Sequence, residues 1–298
     1  MLIRIGYEIV VDCPKPTPMI LALRTHPENA RRTIGSDRIR TEPETRIEEY
    51  VDGWGNRRAR VLAPAGRTTF WSDCVVEDSG ASDPFDWNAR QHEIMDLPFE
   101  TLPFVTASRY CQSDELVEDA WALFGETPPG WARAAAIGNW VHNRVTFGYQ
   151  FGRPTKTAVD VSREGTGVCR DFAHLFVALC RAMNIPARYA CGYLTDIGAI
   201  AQGADDFCAW SEVYLDGRWH VFDARHNVPR IGRILIARGR DAADVAMVTA
   251  FGHYYLTRLR VWSVEMQSAP AQDILTALQT RPEGEALVLE NAAQRLPV

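Results

Sequence analysis

Residues 165–175 read GTGVCRDFAHL and place Cys169 where a glycine-rich turn enters an amphipathic helix. The predicted helix runs from Cys169 to about Met183, where residues 184–186 (NIP) favour a turn. Its apolar residues recur three and four positions apart, as expected of a buried stripe: Phe172, Leu175, Phe176, Leu179 and Met183. The positive end of a helix dipole and its unpaired N–H groups stabilise a thiolate and can hold a developing oxyanion. The position therefore predicts a nucleophilic cysteine, with a buried inert cysteine as the alternative.

The remaining sequence predicts an α+β protein in which an N-terminal antiparallel β-sandwich precedes a core of helices and strands. Residues 2–11 are mostly alternating and apolar, and turn residues near 52–56 indicate a hairpin. From Ser108 the apolar period changes to about 3.6, which is typical of helices. Further strands are predicted at residues 188–194, 207–215 and 218–223, the last two joined by the turn Asp216-Gly217. The predicted limits are 1–105 for the β-rich part, 106–265 for the core and 266–298 for a C-terminal extension.

Composition and absent motifs restrict the function to thiol chemistry. The 298 residues are 46% hydrophobic with a net charge of −6, which argues against a nucleic-acid-binding surface. Seven scattered cysteines do not resemble a disulfide framework, and neither a signal peptide nor a membrane span is evident. We therefore expect a cytoplasmic protein with no membrane partner. The P-loop, H-E-x-x-H, C-x-x-C and G-x-S-x-G patterns are missing, so we expect no cofactor and no metal.

Several segments together resemble the bacterial transglutaminase-like superfamily, many of whose members are described as cysteine proteases. They are residues 167–175 (GVCRDFAHL), 184–189 (NIPARY), 192–194 (GYL), 209–214 (AWSEVY), Trp219 and Asp223. The first hundred residues resemble the N-terminal region that accompanies this domain in bacteria. The resemblance implies a papain-like core in which Cys169 is the nucleophile and Asp223 the orienting acid. The family's histidine directly precedes the Ala-Trp pair, and Cys208 stands in that place.

Strand pairing predicts which residues lie near Cys208. The Asp216-Gly217 turn places 210 opposite 223 and 213 opposite 220, so Cys208, Trp210 and Asp223 share one face of the sheet. His220 falls on the other face. His226 has the wrong parity for an ideal strand, yet it lies where the strand ends and the chain can turn. It is the best substitute base, because an imidazole can act as a base near neutral pH and a thiol cannot replace it there.

Three hypotheses follow for the function. The first is an enzyme, a cysteine hydrolase or acyltransferase that acts on an amide or peptide bond through a Cys169 thioester. The second is a degenerate relative that binds a peptide or small amide without turnover, because Cys208 replaces the histidine. In the third, Cys169, Cys208 and Asp223 bind a metal ion. The histidine-sized gap also predicts that the two thiols lie too far apart for a disulfide.

The substrate is expected to be a peptide, a protein or a small amide. Trp210, beside the histidine position, is a candidate substrate contact. Residues 224–240, directly after Asp223, contain five arginines and no acidic residue. Arg225 and Arg230 are candidates to bind a substrate carboxylate, because the guanidinium fork suits carboxylates, with ordinary surface ion pairs as the alternative. The sequence leaves the oligomeric state open.

Overall fold

The computed structural model describes residues 1–198, 206–282 and 287–288. Its strands are β1 (Leu2–Cys13), β2 (Thr17–Leu21), β3 (Thr33–Glu42), β4 (Ile47–Val51), β5 (Arg57–Ala63), β6 (Gly66–Glu77), β7 (Thr146–Phe147), β8 (Thr166–Gly167), β9 (Ala187–Leu194), β10 (Cys208–Leu215), β11 (Arg218–Phe222), β12 (Arg233–Gly239), β13 (Val248–Ala250), β14 (Tyr255–Met266) and β15 (Leu287–Val288). Its α-helices are α1 (Val117–Phe124), α2 (Trp131–Arg144), α3 (Ala158–Glu164), α4 (Cys169–Ala182) and α5 (Ala271–Ala277), and short 3-10 helices connect several of these elements.

Two antiparallel sheets form the N-terminal sandwich. One has the strand order β15-β14-β1-β6-β3 and the other the order β13-β2-β5-β4. Alternate residues of β1 point inward and are buried against β2 and β5, which is the period-two pattern of a strand with one face in a core. The inward residues include Ile3, Ile5, Tyr7, Ile9, Met19, Leu21, Ala59 and Val61. The α+β fold with an N-terminal sandwich is therefore confirmed.

The last part of the chain returns to this sandwich. β14 pairs along the length of β1, from Leu2 opposite Met266 to Asp12 opposite Tyr255, and β13 pairs with β2. The predicted core range 106–265 thus contains two strands that the structure assigns to the N-terminal sheets. The limits 1–105, 106–265 and 266–298 stay predictions as domain limits, and local periodicity could not reveal these long-range strand pairs.

The core consists of α4 packed on the antiparallel sheet β11-β10-β9-β12. The Ser211 hydroxyl of β10 donates to the carbonyl oxygen of Ala173 in α4 at 3.4 Å. On its other side, the apolar stripe of α4 is buried against α1, α2 and α3. The β10–β11 hairpin has the predicted register, with Val213 opposite His220. The sheet therefore presents the start of β10 and the end of β11 beside the start of α4.

The sandwich contacts the core at the residue before Cys208. The Phe207 ring lies between Tyr7 of β1, with centroids 6.0 Å apart, and Tyr193 of β9, with centroids 5.3 Å apart. Both tyrosines are buried in the cluster that joins the sandwich to β9 and β12. The N-terminal part thus helps to fix the backbone where β10 begins.

Candidate active site

The side chain of Asp171 caps α4 and fixes where the helix begins. Its Oδ2 accepts a hydrogen bond from the Val168 N–H at 3.0 Å, and Arg170 donates to its Oδ1 at 3.0 Å. Gly167 permits this close approach, because a β-carbon there would lie 2.6 Å from the β-carbon of Asp171. Cys169 is consequently the first residue of the helix, at the positive end of its dipole.

The Cys169 thiol lies among groups that favour its charged form. The Cys208 thiol donates a hydrogen bond to the Cys169 sulfur, and the Arg225 guanidinium and the Ala209 N–H act in the same direction. Burial and the Asp206 carboxylate oppose them, but the balance lowers the pKa of Cys169 below its usual range. The observed position of Cys169 is therefore that of an activated thiol.

The pKa of the Cys208 thiol is shifted in the opposite direction. Its hydrogen bond to Cys169, its burial and the nearby charges of Cys169 and Asp223 raise its pKa well above the usual range. Its sulfur also lies 3.6 Å from the Ala209 carbonyl oxygen, a second acceptor for the same proton. Within the pair, the contacts favour the charged form of Cys169 and the protonated form of Cys208.

Arg225 is held close to this pair by two contacts. Its guanidinium carbon lies 3.8 Å from the centre of the Phe147 ring, a cation–π contact. Its backbone N–H donates to Asp223 Oδ1 at 3.1 Å. A cation in this place stabilises the Cys169 thiolate.

Asp223 orients an imidazole from the end of its own strand. His226 Nδ1 lies 2.8 Å from Asp223 Oδ2, and the His226 N–H donates to Oδ1 at 3.1 Å. The Arg233 guanidinium donates to Oδ2 at 2.8 Å and also pairs with Asp83 at 2.9 Å. Burial alone would raise the pKa of Asp223, but Arg233 and His226 outweigh it and hold that pKa well below the usual range. Asp223 is therefore an ionised group that fixes His226.

Cys208, Asp223 and His226 form a compact cluster. One sulfur, one carboxylate oxygen and one ring nitrogen lie within 4.8 Å of one another. Zinc accepts these three ligand types, but the carboxylate is already held by Arg233 and by backbone N–H groups. The predicted metal set named Cys169, whereas the cluster found among the described residues contains His226 in its place.

Two residues near the thiol were missed from the sequence. The Asp206 carboxyl accepts a hydrogen bond from the Tyr149 hydroxyl, and burial raises the pKa of Asp206 to about 6. Burial, together with the charges of Asp206 and Cys169, raises the pKa of Tyr149 as well. Asp206 stands two positions before the place of the family histidine, and that proximity was the only signal for it in the sequence.

An aromatic pocket borders Asp223 on another side. Its lining combines a segment before α1 with α2 and the end of β11, and it includes Phe85, Trp87, Trp131, Phe222 and Asp223. Phe85 and Trp87 are exposed, and their rings stack with centroids 5.8 Å apart. The lining suits an apolar group.

Comparison with known proteins identifies the family. Residues 122–224 match the family described as the transglutaminase-like superfamily. The crystal structure of a "Putative Cysteine Protease" from Cytophaga hutchinsonii superposes with a TM-score of 0.77 at 31% identity, covering 91% of this chain and 93% of that one. The chain belongs to the transglutaminase-like superfamily.

Two further relatives differ in how much they share with the chain. An uncharacterized protein of Mycobacterium leprae is 27% identical over 252 residues, which are 81% of this chain and 88% of that protein. Human kyphoscoliosis peptidase is 29% identical over 153 residues, which are 47% of this chain but only 22% of the peptidase. Among the described residues, the helices are all too short or too polar to cross a bilayer.

The structure brings together some of the predicted site residues. Cys169, Cys208, Asp223, His226 and Arg225 meet around the start of α4, as described above. Their catalytic roles stay predictions. The two thiols were expected to lie too far apart for a disulfide; the structure places them in contact, because the Cys208 thiol hydrogen-bonds to Cys169.

The other two candidates are placed differently. Trp210 is only 2% exposed, and the Arg233 guanidinium lies 5.2 Å from its ring centre, so a substrate would have to displace Arg233 to reach that face. Arg230 is buried, and its guanidinium pairs with Asp196 at 2.7 Å. Both side chains are therefore buried away from a ligand. Their positions along the chain contained no information about this burial.

Proposed function

We propose that the chain is a cysteine hydrolase or acyltransferase that cleaves an amide or peptide bond through a thioester on Cys169. The observation that supports this most directly is the environment of Cys169, where Cys208, Arg225 and the start of α4 favour the thiolate. The thiolate is the nucleophilic form of cysteine, and the same helix end stabilises a developing oxyanion. A merely structural cysteine has no need of these contacts.

His226 acts as the general base of the reaction. Asp223 orients its ring at 2.8 Å, as the acid of a triad does, and the ring lies within 4.8 Å of Cys208, which contacts the nucleophile. In the first half-reaction the Cys169 sulfur attacks the carbonyl carbon and forms the thioester, the C–N bond breaks, and the leaving amine takes up a proton from the His226 ring. In the second, a water molecule or an amine gives its proton to the base, attacks the thioester and releases the thiolate.

The alternative is that the chain binds a peptide or small amide without turnover. The replacement of an imidazole by Cys208 favours this reading, because a thiol with a raised pKa is a poor base. The two functions differ in one measurable respect: an enzyme releases its acyl group, whereas a degenerate binder with an activated thiol retains it.

The experiment follows formation and release of an acyl-enzyme. The full chain is mixed with p-nitrophenyl acetate, and intact mass spectrometry records the acetyl adduct with time. We expect one adduct on Cys169 that then hydrolyses, and no adduct on Cys169→Ala. His226→Gln should slow release roughly 100-fold. His220→Gln is the matched control, since that ring lies on the opposite face of the hairpin and hydrogen-bonds to the Leu215 carbonyl.

Restoring the family histidine distinguishes the alternative. If wild type accumulates the adduct without release and Cys208→His releases it, the chain is a degenerate binder and the proposal is wrong. Peptide amides with apolar side chains are the natural second probes, because the pocket beside Asp223 is aromatic. Cleavage of these amides by wild type, absent in Cys169→Ala, would support the proposal for its intended bond. The cytoplasmic location stays a prediction.

A further inference from the structure

Two free thiols face each other at the candidate active site. Cys169 is partly exposed and Cys208 is 5% exposed, and a hydrogen bond joins them. The other cysteines are buried, among them Cys111 and Cys191, whose pKa values burial raises to about 12. Among the described cysteines, Cys169 is the partly exposed one, and Cys208 is a second thiol in contact with it.

The geometry points to a reversible oxidative modification: we propose that a hydroperoxide converts Cys169 and Cys208 into an intramolecular disulfide. The Cys169 thiolate attacks the peroxide, the O–O bond breaks, and one oxygen stays on sulfur as sulfenic acid while the other leaves as an alcohol or water after taking up a proton. The Cys208 sulfur then attacks the sulfenic sulfur, its proton leaves with the hydroxyl group as water, and the S–S bond forms. The peroxide is reduced by two electrons and the two thiols are oxidised.

The electrostatics of the pair favour this order of events. The Cys208 thiol, Arg225 and the start of α4 favour the nucleophilic thiolate form of Cys169. The hydrogen bond and the negative charge of Cys169 are among the causes that keep Cys208 protonated. Oxidation to a neutral sulfenic acid removes that charge, so the pKa of Cys208 falls when its thiolate is needed. The first reaction thus prepares the second thiol to attack.

The disulfide would stop acyl transfer, because it consumes the nucleophile. The proposal rests on the same Cys169 thiolate as the proposed function, but it requires no substrate and no turnover. Cys208, in place of the family histidine, then has a role that an imidazole cannot have. It converts the Cys169 sulfenic acid into a disulfide, which other thiols can reduce.

The experiment identifies the linked cysteines by mass. The full chain is treated with hydrogen peroxide at neutral pH, alkylated with iodoacetamide, and digested without reduction. Trypsin releases Cys169 in the peptide 164–170, but Cys191 and Cys208 share the peptide 189–218, so a second cleavage before Asp206 separates them. We expect 164–170 linked to the fragment with Cys208, and dithiothreitol should reverse the link.

Two variants test whether Cys208 is the thiol that links to Cys169. Cys208→Ser should leave Cys169 to oxidise further to sulfinic acid, so that the fraction of Cys169 that dithiothreitol recovers falls roughly tenfold. Cys191→Ala is the matched control and should still form the link. The proposal is overturned if wild type forms sulfinic acid as fast as Cys208→Ser, or if the linked partner is Cys191. Because the readout is a mass, the disulfide can fail while acetyl release succeeds, or succeed while acetyl release fails.

Discussion

Replacing Asp206 by Asn should stabilise the protein at neutral pH and activate Cys169. The Asp206 carboxyl has a pKa of about 6 in the folded chain against a usual value of 3.8, because it is buried. Between these values the folded state holds a proton that the unfolded state has lost, so stability falls as the pH rises through this window. A difference of about two pH units corresponds to roughly 3 kcal/mol, and partial exposure of the side chain reduces this to about 2 kcal/mol.

Thermal unfolding from pH 4 to pH 7 measures this effect. The gain of Asp206→Asn over wild type should be near zero at pH 4 and reach about 2 kcal/mol at pH 7, or about 3 °C in Tm for a chain of this size. The amide can still accept the Phe207 N–H that lies 2.7 Å from Asp206 Oδ1. The exposed Asp114 provides a matched control for the change of carboxylate to amide itself, so Asp114→Asn is measured in parallel. A gain for Asp206→Asn that is the same at both pH values would refute the reasoning.

Asp206→Asn also tests how the Asp206 carboxylate affects the reactivity of the Cys169 thiol. The Asp206 carboxylate raises the pKa of Cys169, so its removal should increase the thiolate fraction. Iodoacetamide should therefore alkylate Cys169 faster in Asp206→Asn than in wild type at pH 7, and the difference should shrink near pH 5, where Asp206 is mostly protonated in wild type. Equal rates at pH 7 would mean that the carboxyl does not act on the nucleophile.

Three further substitutions test the contacts around the site. Asp223→Asn should cost about 1–3 kcal/mol in denaturant unfolding, because it removes one of the two carboxylates that pair with buried Arg233 and leaves only Asp83; a loss under about 0.5 kcal/mol would contradict this. Gly167→Ala should cost about 1–3 kcal/mol, because the added methyl group would lie 2.6 Å from the β-carbon of the capping aspartate, and unchanged unfolding would show that the cap can move. Arg225→Gln should slow alkylation of Cys169 roughly threefold to tenfold at pH 7, and an unaltered rate would remove Arg225 from the activation of the thiol.

The sequence predicted the parts of the site that depend on local pattern. The start of α4 at Cys169 and the β10–β11 register follow from periodicity and turn chemistry, and the structure has both. His226 was harder to place because pleat parity applies only within a strand. β11 ends at Phe222, and the turn that follows returns the His226 ring to Asp223. β14 escaped prediction for another reason, since its partner β1 lies some 250 residues away in sequence and local patterns contain no information about such pairs.

The arginines after Asp223 have a role that charge alone could not indicate. The sequence predicted that one or two of these arginines bind a substrate carboxylate. In the structure, Arg233 forms ion pairs with Asp223 and Asp83, and Arg230 pairs with Asp196. Arg225 is the one whose positive charge acts on the nucleophile. A carboxylate bound there would compete with the Cys169 thiolate for the same cation and raise the pKa of Cys169. We therefore expect the proposed hydrolase to prefer substrates that are uncharged next to the cleaved bond, and the aromatic pocket beside Asp223 would accept an apolar group there.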